Sequence, residues 1–134
     1  MADQLGPDDR PTVWAGHISV PVRDVPAAAE FYERIGMRSI VATDDVAVLE
    51  LRGGTHLVAY HDPEAGVAAD PHAASRPAAF DLMVENLEAT HTEWESSGLP
   101  VSAIKHGRIH NSFTVIDPSG NSVVVNSTHV VGAV

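Results

Sequence analysis

From His17 onward the chain alternates. Ile18, Val20 and Val22 point one way, and His17, Ser19 and Pro21 the other. That period of two marks a half-buried strand. Asp24 then stands where a helix N-cap belongs. Pro26 fits a first turn, because its missing N–H would have no helical partner. Ala27 to Arg34 are mostly good helix formers, Phe31 and Ile35 share one face, and Gly36 suits the position just past a helix end. The pattern predicts a strand over 14–22, a helix over about 25–35 and a glycine stop.

The same device returns from Ala79, at an offset of 62 positions. Val22 then falls on Val84, Ala27 on Ala89, Glu33 on Glu95 and Gly36 on Gly98, with Asp24 on Asn86 and Tyr32 on Trp94. An internal repeat of this kind sets the whole architecture. Between the copies, strands are predicted over 38–42, 46–51 and 55–60, with turns at Thr43-Asp44-Asp45 and Gly53-Gly54. After the second helix, predicted over 87–97, come a strand over 101–105, a stretch over 106–110 that is either a turn or the start of a long strand running to 116, and a last strand over 121–127. Asp117-Pro118-Ser119-Gly120 makes the last turn. The closing hairpins align at an offset of 66, which places about four extra residues near 106–110. Each half therefore reads β-α-β-β-β, and the fold class is α+β.

Residues 1–12 carry no periodicity and read as a loose tail; 13–62 form the first module, 63–77 a Pro- and Ala-rich linker, 78–129 the second module and 130–134 a short apolar tail. A chain of 134 residues makes one structural domain with a shared core. Its 18 acidic against 8 basic residues, a formal charge of −10, argue against nucleic acid and anionic membranes as partners. With no cysteine, disulfides and thiolate chemistry are excluded. No run approaches the ~20 apolar residues of a membrane span, so a cytoplasmic protein is expected.

Two βαβββ modules, an opening H-I-x-V-x-V-x-D, F-Y-E-R-I-G in the helix and a closing D-P-S-G-N turn resemble the vicinal oxygen chelate superfamily. That family includes glyoxalase I, extradiol dioxygenases and bleomycin-resistance proteins. The resemblance implies curved half-barrel sheets around a cleft, and a homodimer. In metal-using relatives it places ligands at positions matching His17, Val58, Ala79 and Val124, of which only His17 carries a donor. Three ligands are the usual minimum for a catalytic site, so no metal cofactor is expected at that place.

Alternation along the strands names the residues that share the cavity face: His17, Ser19, His56, Tyr60, Asp81, Ser112, Thr114 and Asn126, with His110 added if its strand is regular. Asp81, an acid among apolar strand positions, is the candidate general base. Its structural alternative is an ion pair with Arg76, Lys105 or Arg108. Two functions stay open. One is a small-molecule binder without the family's metal. The other is a divalent-metal lyase, isomerase or dioxygenase with Zn, Fe, Ni or Mn on a displaced ligand set of His17 with His56, Asp81 or His110. Most of His61, His72, His91, His106 and His129 are expected in solvent; Trp14 and Trp94 are expected in packing, with a subunit seam as the alternative for Trp14.

Overall fold

The computed structural model describes residues 8, 10–66 and 76–128. Most of the two tails, the middle of the linker, His72 and His129 lie outside the described residues. In chain order the elements are β1 (His17–Val22), α1 (Val25–Arg34), β2 (Arg38–Ala42), β3 (Val46–Glu50), β4 (His56–His61), β5 (Arg76–Val84), α2 (Leu87–Ser96), β6 (Lys105–His106), β7 (Asn111–Ile116) and β8 (Asn121–Ser127).

The strands form two four-stranded mixed sheets, ordered β1-β4-β3-β2 and β5-β8-β7-β6, which do not close into a barrel. Within each module the first strand runs parallel to the last, and the helix between them supplies the crossover.

Both helices start as the sequence dictates. Asp24 Oδ1 accepts from the Ala27 N–H at 3.1 Å, and Asn86 Oδ1 from the Ala89 N–H at 3.0 Å, each satisfying an N–H that the helix itself leaves open. Asp24→Ala is expected to cost about 1 kcal/mol, read as a lowered urea midpoint at unchanged slope. Gly36, at φ +114°, and Gly98, at φ +83°, end the helices in a conformation that a side chain would strain.

The register confirms the repeat. Ser19 pairs with Val58 and Asp81 with Val124; Val46 pairs with Tyr60 and Ser112 with Asn126. The four extra residues lengthen the β6–β7 hairpin, where Lys105 pairs with Ser112 and His106 with Asn111 beyond the point at which the first module turns. Two strand boundaries differ from expectation. The predicted strand over 101–105 reduces to an isolated bridge, Val101 to Val115, followed by β6. There Ser102 Oγ accepts from the Thr114 N–H at 2.9 Å, so a side chain takes over part of the ladder. The first strand begins at His17 rather than Trp14, and Trp14 is 73% exposed instead of packed.

One core serves both modules. Val20, Val22, Phe31, Tyr32, Leu49 and Leu57 from the first join Leu87, Trp94, Phe113, Val115, Val123 and Val125 from the second. Phe31, Tyr32, Leu87 and Trp94 come from the two helices and the others from the helix-facing side of the sheets, which leaves the opposite sheet faces outside this core.

Candidate functional site

Alternation decides what each open face carries. In β4, Leu57 and Ala59 are buried in the core, so His56, Val58 and Tyr60 face away from it; in β1, His17 and Ser19 do the same opposite Val20 and Val22. In β3, Ala47 and Leu49 are buried, which turns Glu50 onto the open face. Register then aligns His17 with His56, His56 with Glu50, and Glu50 with Arg38, a straight row across all four strands of the first sheet. The imidazole centroids of His17 and His56 are 5.6 Å apart. His56 Nε2 lies 3.7 Å from Glu50 Oε2, and Arg38 Nη2 donates to Glu50 Oε1. The sequence reading missed Glu50 and Arg38. Both lie inside the predicted strands 46–51 and 38–42, and applying the alternation to 46–51 would have placed Glu50 on the open face with Val46 and Val48.

On the second sheet, Ala79, Asp81 and Met83 of β5 face outward with Ser112 and Thr114 of β7 and Ser122, Val124 and Asn126 of β8. Asn126 Nδ2 donates to Asp81 Oδ2 at 2.9 Å. That amide is the partner of Asp81, in place of the expected Arg76, Lys105 or Arg108. Arg76 instead donates from Nη2 to the Pro21 carbonyl at 3.2 Å, across the seam between modules. His110 precedes β7 rather than lying in it, and its Nδ1 sits 2.9 Å from the Ser127 carbonyl, a main-chain hydrogen bond that holds the ring at the end of the sheet. His91 is half-buried rather than solvated: its Nε2 donates to the Ser102 carbonyl at 2.7 Å and its ring meets Phe113 edge-on.

The structure therefore assembles the candidates in two sets. His17, Ser19, His56 and Tyr60 lie on one sheet, and Asp81, Ser112, Thr114 and Asn126 on the other. His17, His56, Asp81 and His110 do not gather around one point. Among the described residues no group of three or more His, Asp or Glu is placed to hold a metal ion.

The four positions implied by the resemblance fare no better. Val58 and Val124 face each open sheet with aliphatic side chains. Ala79 falls where the β5 register slips between Pro77 and Asp81. The donor set does not fit a resident metal at this place.

Sequence reading took the Asp117 turn for a hairpin connection only. In the structure it locks the two modules together. Asp117 is buried and accepts from the Ser119 and Asn121 N–H groups, each at 2.9 Å through Oδ1, and from the Tyr32 hydroxyl and Asn121 Nδ2, each at 2.8 Å through Oδ2. Asn121 Nδ2 also donates to the Pro21 carbonyl at 2.9 Å, and the Arg23 N–H donates to Ser119 Oγ at 2.9 Å. Burial, then the adjacent Asp117 charge and its hydrogen bond, drive the Tyr32 hydroxyl pKa far above its usual value of 10.0.

Paired βαβββ modules, each a four-stranded mixed sheet with one crossover helix, define a class of α+β proteins. The chain belongs to the Glyoxalase/Bleomycin resistance protein/Dioxygenase superfamily, whose model matches residues 14–125. Solved structures agree on the fold. A lactoylglutathione lyase from Agrobacterium tumefaciens is 18% identical, with a TM-score of 0.68 over 88% of this chain and 96% of its own. The bleomycin-binding protein of bleomycin-producing Streptomyces verticillus, solved with copper(II)-bleomycin, is 21% identical, with a TM-score of 0.66 over 90% of this chain and 100% of its own. TnmS3, an antibiotic-binding protein from Streptomyces sp. CB03234, is 22% identical, with a TM-score of 0.67 over 86% and 95%. No curated protein matches the chain.

Proposed function

We propose that this chain binds a small molecule against the open faces of its two sheets, without a metal at the family's ligand positions. The observation that carries the reading is the make-up of those faces. Tyr60, Met83 and Val124, exposed to 42%, 47% and 37%, stand beside polar groups from His17, His56, Asp81 and Asn126. Apolar area with a few convergent polar groups is what a small-molecule site requires, and Val58, Ala79 and Val124 remove the metal donors. The bleomycin- and antibiotic-binding neighbours are consistent with this reading.

Exposed sheet faces of this kind favour a second copy as cover, so we propose a homodimer. The absence of cysteine favours the cytoplasm. Asp81 hydrogen-bonds ligand in this reading. It acts as base only if the protein is an enzyme.

Native mass spectrometry of tag-free protein tests both parts. The expected species is a two-chain assembly with no bound metal. One metal per chain, lost in His17→Ala, would overturn the binder reading in favour of a divalent-metal lyase, isomerase or dioxygenase using a displaced set that includes His17.

A further inference from the structure

The internal repeat makes the two ends of the seam between modules directly comparable. At one end Tyr32 of the first module meets Asp117 of the second, and the Arg23 N–H is held by Ser119 Oγ. At the other end the equivalent positions are Trp94, Leu51, Glu85 and Gly53. An indole faces no carboxylate there, and a glycine offers no hydroxyl. Among the described residues that end is bridged by an ion pair of exposed side chains, Arg52 Nη1 to Glu85 Oε1 at 2.9 Å. The sealed end is filled by a buried polar network, whereas the open end keeps a groove of about 840 Å³.

The groove is lined by Met37 and Leu51 from the first module and by Leu82, Val84 and Trp94 from the second. Its volume falls within the range of small-molecule sites, roughly 300–1,000 Å³. Asp81, Asn86 and Thr90 supply the polar margin. The charges there are unequal. Arg52 is already taken by Glu85, whereas Asp81 accepts only an amide hydrogen bond through Oδ2, and its Oδ1 has no hydrogen bond among the described residues. A carboxylate beside an apolar groove, in a chain of formal charge −10, is complementary to a cation.

We propose that the open end of the seam is a second binding site, for a small apolar molecule that carries one ammonium group. The hydrocarbon body would lie between Leu51 and Trp94, with the ammonium at Asp81. The site goes beyond the sheet-face reading: its wall runs from Ile35 and Leu51 of the first module to Thr90 and Trp94 of α2, and Asp81 and Met83 belong to both.

The test is a titration of the ¹⁵N-labelled full chain at pH 7 with 2-naphthylmethylammonium and, separately, with its uncharged counterpart 2-naphthylmethanol. The cation is expected to shift the Trp94 indole N–H and the amides of Met37, Leu51 and Val84. It should bind about tenfold more tightly than the alcohol, the usual scale of a charge-assisted hydrogen bond. Asp81→Asn should remove that preference and leave alcohol binding unchanged. Thr90→Trp, which fills the groove from the helix without touching either sheet face, should abolish both.

Equal affinity of the two compounds, or shifts confined to His17, His56 and their strands, would overturn the proposal. So would cation affinity that falls as protein concentration rises, since a second copy would then occupy the groove. Failure of the homodimer or of the metal-free state in the mass measurement would leave these outcomes unaffected.

Discussion

Asp117→Ala should be the most damaging single substitution in the chain, costing on the order of 3–5 kcal/mol. The carboxylate accepts four hydrogen bonds in a buried seam, from two backbone N–H groups, a phenol and an amide. Alanine would strand all four donors away from water. Tyr32→Phe removes one of them and should cost about 1–2 kcal/mol, which separates the phenol's share from that of the turn. Urea midpoints of the three proteins give the comparison.

The same contact predicts a pH dependence. The Tyr32 pKa is raised in the folded chain by burial and by Asp117. In the unfolded chain the phenol ionises near its ordinary 10.0. Above that pH the unfolded state releases a proton that the folded state retains. The Tyr32 contribution is therefore fully present below about pH 10 and lost above it, by about 1.4 kcal/mol per pH unit. Tyr32→Phe should lack this component. Absorbance at 295 nm of a Tyr60→Phe variant offers an independent reading, because Tyr32 should stay protonated until unfolding. A tyrosinate in the native state of that variant at pH 11 would contradict the buried contact.

Phe113→Ala should follow closely, at about 3–5 kcal/mol. Phe113 is 1% exposed and packs edge-on against Trp94, at a centroid distance of 5.6 Å, and against His91 at 5.0 Å. Its loss would open a cavity where α2 rests on β7. It would also free His91, whose Nε2–H to the Ser102 carbonyl steadies the irregular stretch before β6. Protection of the Thr114 amide against hydrogen exchange should fall beyond the global change, since that N–H bonds to Ser102 Oγ. Unchanged protection relative to global stability would show that the stretch is held independently of Phe113.

Most of the fold was legible because its signals are local. Alternation places Leu57 and Ala59 inward and His56 and Tyr60 outward without knowledge of the partner strands. Asp24 with Gly36, and Asn86 with Gly98, bracket the helices by hydrogen-bonding and backbone preferences that act within a few residues. The repeat carried this further: two offsets, 62 and 66, matched each element of one module to its counterpart in the other and placed the four-residue insertion. The faces of His17, Ser19, Asp81 and Asn126 followed from the same period.

Partnerships across the sheets and the seam did not follow from it. Nothing near Asp81 in sequence names Asn126 rather than a cation as its partner. That choice depends on β5 lying beside β8 in this register, with a slip between Pro77 and Asp81 that no hydrophobic pattern records. His110 and His91 were misplaced for the same reason, since each ring bonds to a carbonyl on another segment.

By itself the sequence determined two βαβββ modules, their helix ends, and the inward and outward side of each strand. Only the tertiary structure decided that the candidate residues divide between two faces, that Glu50 and Arg38 extend the histidine row, and that Tyr32 and Asp117 seal one end of the seam while Trp94 and Leu51 leave the other open. The reason is one of range. Propensity and alternation act between neighbours in the chain, whereas the energy of a buried carboxylate or an open groove is set by groups distant in sequence, 85 positions apart for Tyr32 and Asp117 and 43 for Leu51 and Trp94.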